Sequence, residues 1–263
     1  MEMVCRTMRL AAIAATAGGM LTIAPPAFAQ TNDVYDEAVS LPSRLAADME
    51  LDAARKPAEF LRFIGITKGM KVFDVNSGGG YYTELLTHIV GPGGRVVAHN
   101  VPAIADAFSR DQIAARYEKD RLPLVERVIS DFSITDFGEQ KYDAIIMVLA
   151  YHDVYFEAAG DNFVWPKTDP APFLQAVYRG LKPGGVIGLV DHRYKPGVTE
   201  ATAISLHRID PAVVMRDFEA AGFVLDGEAD FLANPGDDYS KNVFDPNVRR
   251  KTDRFVWKFR KRR

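Results

Sequence analysis

From Lys71 onward, short apolar runs alternate with stretches of helical spacing. Lys71–Val75, Arg95–His99, Glu126–Ile129, Tyr142–Leu149, Val186–Val190, Phe223–Leu232 and Arg254–Arg260 read as strands. Tyr142–Leu149 is nearly all apolar, as a central strand buried on both faces must be. Tyr82–Val90, Pro102–Glu118, Ala171–Leu181 and a segment opening at Asp210-Pro211 read as helices. Asp210 suits an N-cap and Pro211 a first helical position. Residues 150–169 read as one long aromatic loop. Strands alternating with helices imply a parallel sheet covered on both faces. No helix separates the last two strands, so they pair as a hairpin. The expectation is an α/β fold, a seven-stranded and mostly parallel sheet with one antiparallel strand. Ligands of such sheets bind beyond the carboxyl ends of the strands.

Upstream of residue 71 the pattern is less regular. Residues 30–42 read as a flexible lead, Ser43–Ala54 as a helix and Pro57–Phe63 as a second, short one. The segment 30–56 either lies over the crevice as a lid or packs on the sheet edge, and the domain proper spans 57–263. The first 29 residues have another character. Arg6 and Arg9 precede an apolar, alanine-rich run from Leu10 to Ile23, and Ala27-Phe28-Ala29 is a small-x-small cleavage pattern. A signal peptide cleaved after Ala29 is expected, with a periplasmic or secreted product. The apolar run is short for a membrane span, so no stable membrane insertion is expected after cleavage.

Composition narrows the function classes. Hydrophobic residues make up 48% and charged residues 25% of the 263, the profile of an ordinary globular protein. Net charge is −3, and −4 once Glu2, Arg6 and Arg9 are set aside, which argues against general nucleic-acid binding. Cys5 is the only cysteine, so the processed chain has no disulfide, thiolate metal ligand or thiol nucleophile. The basic run through Arg249-Arg250-Lys251 and Lys258–Arg263 reads as a solvated edge, with Phe255, Trp257 and Phe259 buried between its charges.

The chemistry concentrates where the first strand ends, at Val72-Phe73-Asp74-Val75-Asn76-Ser77-Gly78-Gly79-Gly80. A glycine-rich turn lets backbone approach a ligand, and the following helix offers free N–H groups. A dinucleotide fingerprint needs G-x-G-x-x-G, and here Thr83 replaces the third glycine. With Asp131-Phe132 after the third strand, Leu181-Lys182-Pro183-Gly184-Gly185 before the fifth and Gly222-Phe223 before the sixth, this stretch resembles the motifs of class I S-adenosylmethionine-dependent methyltransferases. Asp52-Ala53-Ala54-Arg55-Lys56-Pro57 and Gly80-Tyr81-Tyr82-Thr83-Glu84-Leu85 narrow the resemblance to a group of exported bacterial methyltransferases. The resemblance covers residues 57 to 260 and implies a Rossmann-like fold.

It also implies S-adenosylmethionine as cofactor and a small-molecule acceptor. Asp74 would orient the turn or meet the cofactor's amino group through water, with Asn76, Gly78 and Gly80 beside its methionine part. Asn100 would accept from the ribose hydroxyls. Asp131 would hold the adenine amino group, with Phe132 or Ile134 against the ring. Two departures stand out: Asn76 occupies the place of the first motif glycine, and Asn100 that of an acid. A neutral acceptor weakens the ribose contact by ~1–2 kcal/mol.

Tyr151-His152-Asp153 follows the fourth strand, where the family places residues facing the methyl group. His152 is a candidate base, with Asp153 orienting it or accepting the proton itself, or both cap the segment that follows and orient Tyr151. His192, beside Asp191, and His207 belong to the same rim. No H-x-x-x-H or H-E-x-x-H spacing is present, so no metal is assigned; convergence of these residues depends on the fold. Tyr151, Tyr155, Phe156, Phe163 and Trp165 either wall an acceptor pocket or bury the loop. An export signal on a protein using a cytoplasmic cofactor leaves two alternatives open: a ligand-binding protein on a methyltransferase fold, or a chain that keeps its signal and stays in the cytoplasm.

Overall fold

The structure is a computed structural model that describes residues 33–197 and 200–262; the expected signal peptide lies outside them. Four short helices come first: α1 (Val34–Val39), α2 (Ala46–Met49), α3 (Asp52–Arg55) and α4 (Pro57–Ile64). Then follow β1 (Lys71–Val75), α5 (Tyr81–Val90), β2 (Arg95–Asn100), a π-helical turn (Ile104–Phe108), α6 (Arg110–Tyr117), β3 (Val125–Ile129) and β4 (Tyr142–Val148). A hairpin of β5 (Ala158–Gly160) and β6 (Phe163–Trp165) precedes α7 (Pro170–Gly180) and β7 (Leu181–His192). The chain ends through α8 (Glu200–Ser205), α9 (Pro211–Ala220), β8 (Phe223–Ala229) and β9 (Arg254–Lys261).

Seven strands form one sheet in the order β3-β2-β1-β4-β7-β9-β8. β3, β2, β1, β4 and β7 pair in parallel, and β9 is antiparallel to both neighbours. The expected seven-stranded fold is therefore present. The order reverses between β1 and β4, which opens a crevice at their carboxyl ends. β9 is not a solvated edge. It sits between β7 and β8, and Phe255, Trp257 and Phe259 are buried. A hairpin does not say which of its strands docks on the sheet, and the more apolar one did.

Successive side chains of a strand point to opposite faces, which divides each continuous apolar run between two cores. In β4, Ile145 and Met147 join one core while Ala144 and Ile146 join the other. The same split takes Phe73 from Val72 and Ile187 from Val186. One core packs against α7 and α9 through Phe173, Leu174, Val214 and Phe218; the other packs against α4 and α5 through Phe60, Leu61, Leu85 and Leu86. α4 approaches β7 so closely that a Cβ on Gly188 would lie 2.6 Å from Ile64 Cγ1.

Several expected elements differ in detail. The lead contains α1, because the Asp33 carboxylate accepts from the N–H groups of Tyr35 and Asp36. The helix expected over 43–54 is divided into α2 and α3, and the one over 102–118 is interrupted at Ser109 (φ −131°). The aromatic loop folds into a 3-10 turn (His152–Val154) and the β5–β6 hairpin.

Candidate functional site

The carboxyl ends of β1, β2, β4 and β7 bring the glycine-rich turn, Asn100, the 152–154 turn and Asp191 to one rim. Asp74, at the end of β1, is 3% exposed and accepts from Thr83 Oγ1 at 2.7 Å, tying strand to helix across the turn. Burial pushes its carboxyl up to about 7, partly offset by Thr83 and the Arg55 guanidinium. Asn76 is left-handed (φ 52°), a conformation asparagine tolerates better than most residues. Its N–H donates to His99 Nδ1 at 3.3 Å, its Oδ1 accepts from Val101 N at 3.4 Å, and its Nδ2 donates to Asp153 Oδ2 at 3.2 Å. The residue that departs from the family motif thus links the turn to the opposite wall.

Asn100 clamps the same turn. Its Oδ1 accepts from Gly78 N at 2.8 Å while its Nδ2 donates to Gly78 O at 3.0 Å. A carboxylate could make the first bond and not the second. Gly78 (φ 57°) and Gly80 (φ 83°) are both left-handed. Gly79 has no room for a side chain, since a Cβ would stand 2.7 Å from Gln112 Cβ on α6.

Asp131 precedes a 3-10 turn (Phe132–Ile134) but its side chain does not cap it. Its backbone carbonyl, not its carboxylate, accepts from Thr135 Oγ1. Among the described residues the carboxylate has no hydrogen-bond partner and remains available to a ligand. Phe132 is placed differently from the expectation. It is 2% exposed and packs on Phe173 and Trp165 in the core, so Ile134, 72% exposed, is the apolar side chain of this turn that reaches solvent.

On the facing wall, His152 and Asp153 are both buried. His152 Nδ1 lies 2.7 Å from Asp191 Oδ1, and its Nε2 lies 3.2 Å from Asp153 Oδ1. Burial opposes a charge on His152, but the Asp191 and Asp153 carboxylates overcome it and hold the imidazole well above the usual histidine range. Burial also opposes ionisation of Asp153, yet His152 and His207 bring it down to about 2. A general base must be neutral to take a proton. The expected base role of His152 therefore conflicts with the two carboxylates that flank it. His192 turns away, with Nδ1 2.7 Å from Thr252 Oγ1. His207 approaches instead, its Nδ1 3.7 Å from Asp153 Oδ1. Tyr151 and Trp165 bury the loop rather than wall a pocket: Tyr151 donates to Asp217 at 2.8 Å, and Trp165 Nε1 donates to Asp153 O at 3.1 Å.

Two supports carried no signal in the sequence. His99, read as an ordinary strand residue, lies under the turn. Its Nδ1 accepts from Asn76 N, its carbonyl accepts from Ser77 N, and Nε2 lies 2.9 Å from Ser130 O. Burial lowers it to about 4, so it is neutral in this role. Arg116, 1% exposed, donates from Nε to Gly79 O at 2.8 Å and pairs with Glu84 and Asp48. Asp52 joins this layer, bonding Tyr81 Oη at 2.5 Å and Arg44 at 2.7 Å, while Arg55 stacks over the Tyr81 ring at 4.6 Å. Residues 44–55 therefore pack on the start of α5, beside the turn.

The fold is that of the S-adenosylmethionine-dependent methyltransferases. A methyltransferase of that type from Aquifex aeolicus aligns over 82% of this chain and 93% of its own, with TM-score 0.55 and 19% identity. One from Mesorhizobium loti aligns over 80% and 100%, with TM-score 0.55 and 12% identity. The [4+2]-cyclase SpnF aligns over 82% and 81%, with TM-score 0.56 and 16% identity. No curated protein matches the sequence. A family model does match, over residues 6–155, and the chain belongs to the protein-L-isoaspartate(D-aspartate) O-methyltransferase family.

Proposed function

We propose that the protein binds S-adenosylmethionine at the turn 76–80 and transfers its methyl group to a small-molecule acceptor. The observation that carries this reading is the convergence on one rim of the glycine turn, Asn100, an unengaged Asp131 carboxylate and the His152–Asp153 wall. Asp74 and Asn76 flank the methionine part, Asn100 the ribose, and Asp131 the adenine amino group. Methyl transfer is a displacement at an activated sulfonium carbon, so alignment supplies most of what the protein must do. The His152–Asp153 pair positions the acceptor. The family name makes the carboxylate of an isoaspartyl residue the first acceptor to assay beside small molecules. Calorimetry with S-adenosylhomocysteine tests the cofactor site, and absence of binding would refute it.

A second reading is a ligand-binding protein on this fold. It draws on Asn100, whose amide is already engaged by Gly78. Cofactor binding without turnover on a broad acceptor panel would select it. We further propose export with cleavage after Ala29. An N-terminal sequence beginning at Gln30 in the periplasmic fraction supports it, and an intact N-terminus in the cytoplasm overturns it.

A further inference from the structure

We propose that His152, Asp153 and His207 form a binding site for one divalent transition-metal ion. His152, Asp153 and His207 each offer one ligand atom, and these atoms all lie within 4.8 Å of one another. The two measured edges are 3.2 Å and 3.7 Å. Ligands at ~2.0–2.1 Å from a tetrahedral ion stand roughly 3.4 Å apart, so the two edges at Asp153 already have close to the required spacing.

The atoms behind the ligands fit the same role. Asp191 engages His152 Nδ1, which leaves Nε2 facing Asp153; an ion bound there displaces the Nε2 proton, which is released to solvent. A carboxylate behind a ligating histidine is the usual way its ring is oriented. Asn76 holds Asp153 Oδ2, which leaves Oδ1 as the converging atom. Among the described residues His207 Nδ1 is buried with no hydrogen-bond partner, although its ring is fixed against Phe156 and Phe244. A plain His152–Asp153 ion pair does not explain why a second nitrogen, 54 positions along the chain from Asp153 and on a left-handed residue (φ 53°), faces the same oxygen. Two imidazoles and one carboxylate suit zinc, cobalt(II), nickel(II) or iron(II) rather than magnesium or calcium. Three protein ligands leave a coordination position open. Its use by a donor atom of the acceptor rests on the proposed function; binding of the ion does not.

The test is titration of the chelator-treated, purified protein with cobalt(II), followed by zinc competition. The expected result is one equivalent bound, visible cobalt absorption that zinc abolishes, and a higher unfolding midpoint. His207→Ala should weaken binding by at least about 10-fold, and Asp191→Asn by roughly 10–100-fold, the range for an outer partner of a ligand. His88→Ala, on an exposed face of α5, should leave it unchanged. Because loss of buried His152 threatens folding, the wild type carries a second readout. Of its 5 histidines, zinc should shift the ring nitrogen resonances of His152 and His207. No stoichiometric binding overturns the proposal. So does binding that His207→Ala leaves intact, or binding that leaves both rings unperturbed.

Discussion

Asn100→Asp separates two roles of one side chain. In the wild type the amide both accepts from Gly78 N and donates to Gly78 O, at 2.8 and 3.0 Å, with the residue 7% exposed. A carboxylate keeps the first bond, loses the second and faces the carbonyl oxygen with negative charge. Leaving a buried acceptor unsatisfied costs about 1–3 kcal/mol, so the ligand-free protein should lose about that much stability. The same carboxylate accepts from ribose hydroxyls with charge assistance, an advantage of ~1–2 kcal/mol, or roughly 5–30-fold in affinity. Urea unfolding of both proteins without ligand measures the first effect, and calorimetry with S-adenosylhomocysteine the second. Unchanged stability would refute the clamp. Affinity no tighter than wild type would refute the placement of the ribose at Asn100.

Three further outcomes follow from the same geometry. Asp74 is raised from 3.8 to about 7 in the folded state, so folded protein holds more protons than unfolded between those values. Its stability contribution is full below the unfolded value and is lost as pH rises through about 7, by at most ~1.4 kcal/mol per pH unit. Asp74→Asn, which can still accept from Thr83, should flatten that decline in urea titrations from pH 5 to 8; an unaltered slope would assign it to other groups. Arg116→Met strands Asp48 and the Gly79 carbonyl and leaves Glu84 with Arg121 alone. A loss of about 3–5 kcal/mol is expected in chemical unfolding, together with weaker cofactor binding; a loss under 1 kcal/mol would show that the buried network is not coupled to the turn. Gly188→Ala places a methyl 2.6 Å from Ile64 and should cost about 1–3 kcal/mol by calorimetric unfolding, as overpacked cores do, with cofactor affinity retained.

What the sequence determined by itself was local. The nearly all-apolar run at 142–148 lies in a strand packed on both faces, Asp210 caps the helix that Pro211 begins, and the break in the glycine fingerprint at Thr83 sets this turn apart from the dinucleotide pattern. Each follows from backbone preference or side-chain period within a few residues. What only the tertiary structure decided depends on which elements become neighbours. β9 entered the sheet interior because a hairpin leaves open which strand docks. His99 and Arg116 became supports of the turn because parallel register and the packing of α6 carried them there. Asn76 and Asn100, departures when read as motif letters, are bonded parts of the rim. His207 meets His152 and Asp153 while His192 turns to Thr252, a choice no spacing encodes. Spacing fixes distance along a chain. Closeness in space is set by crossovers and strand order, which take shape only once the whole sheet has closed its two cores.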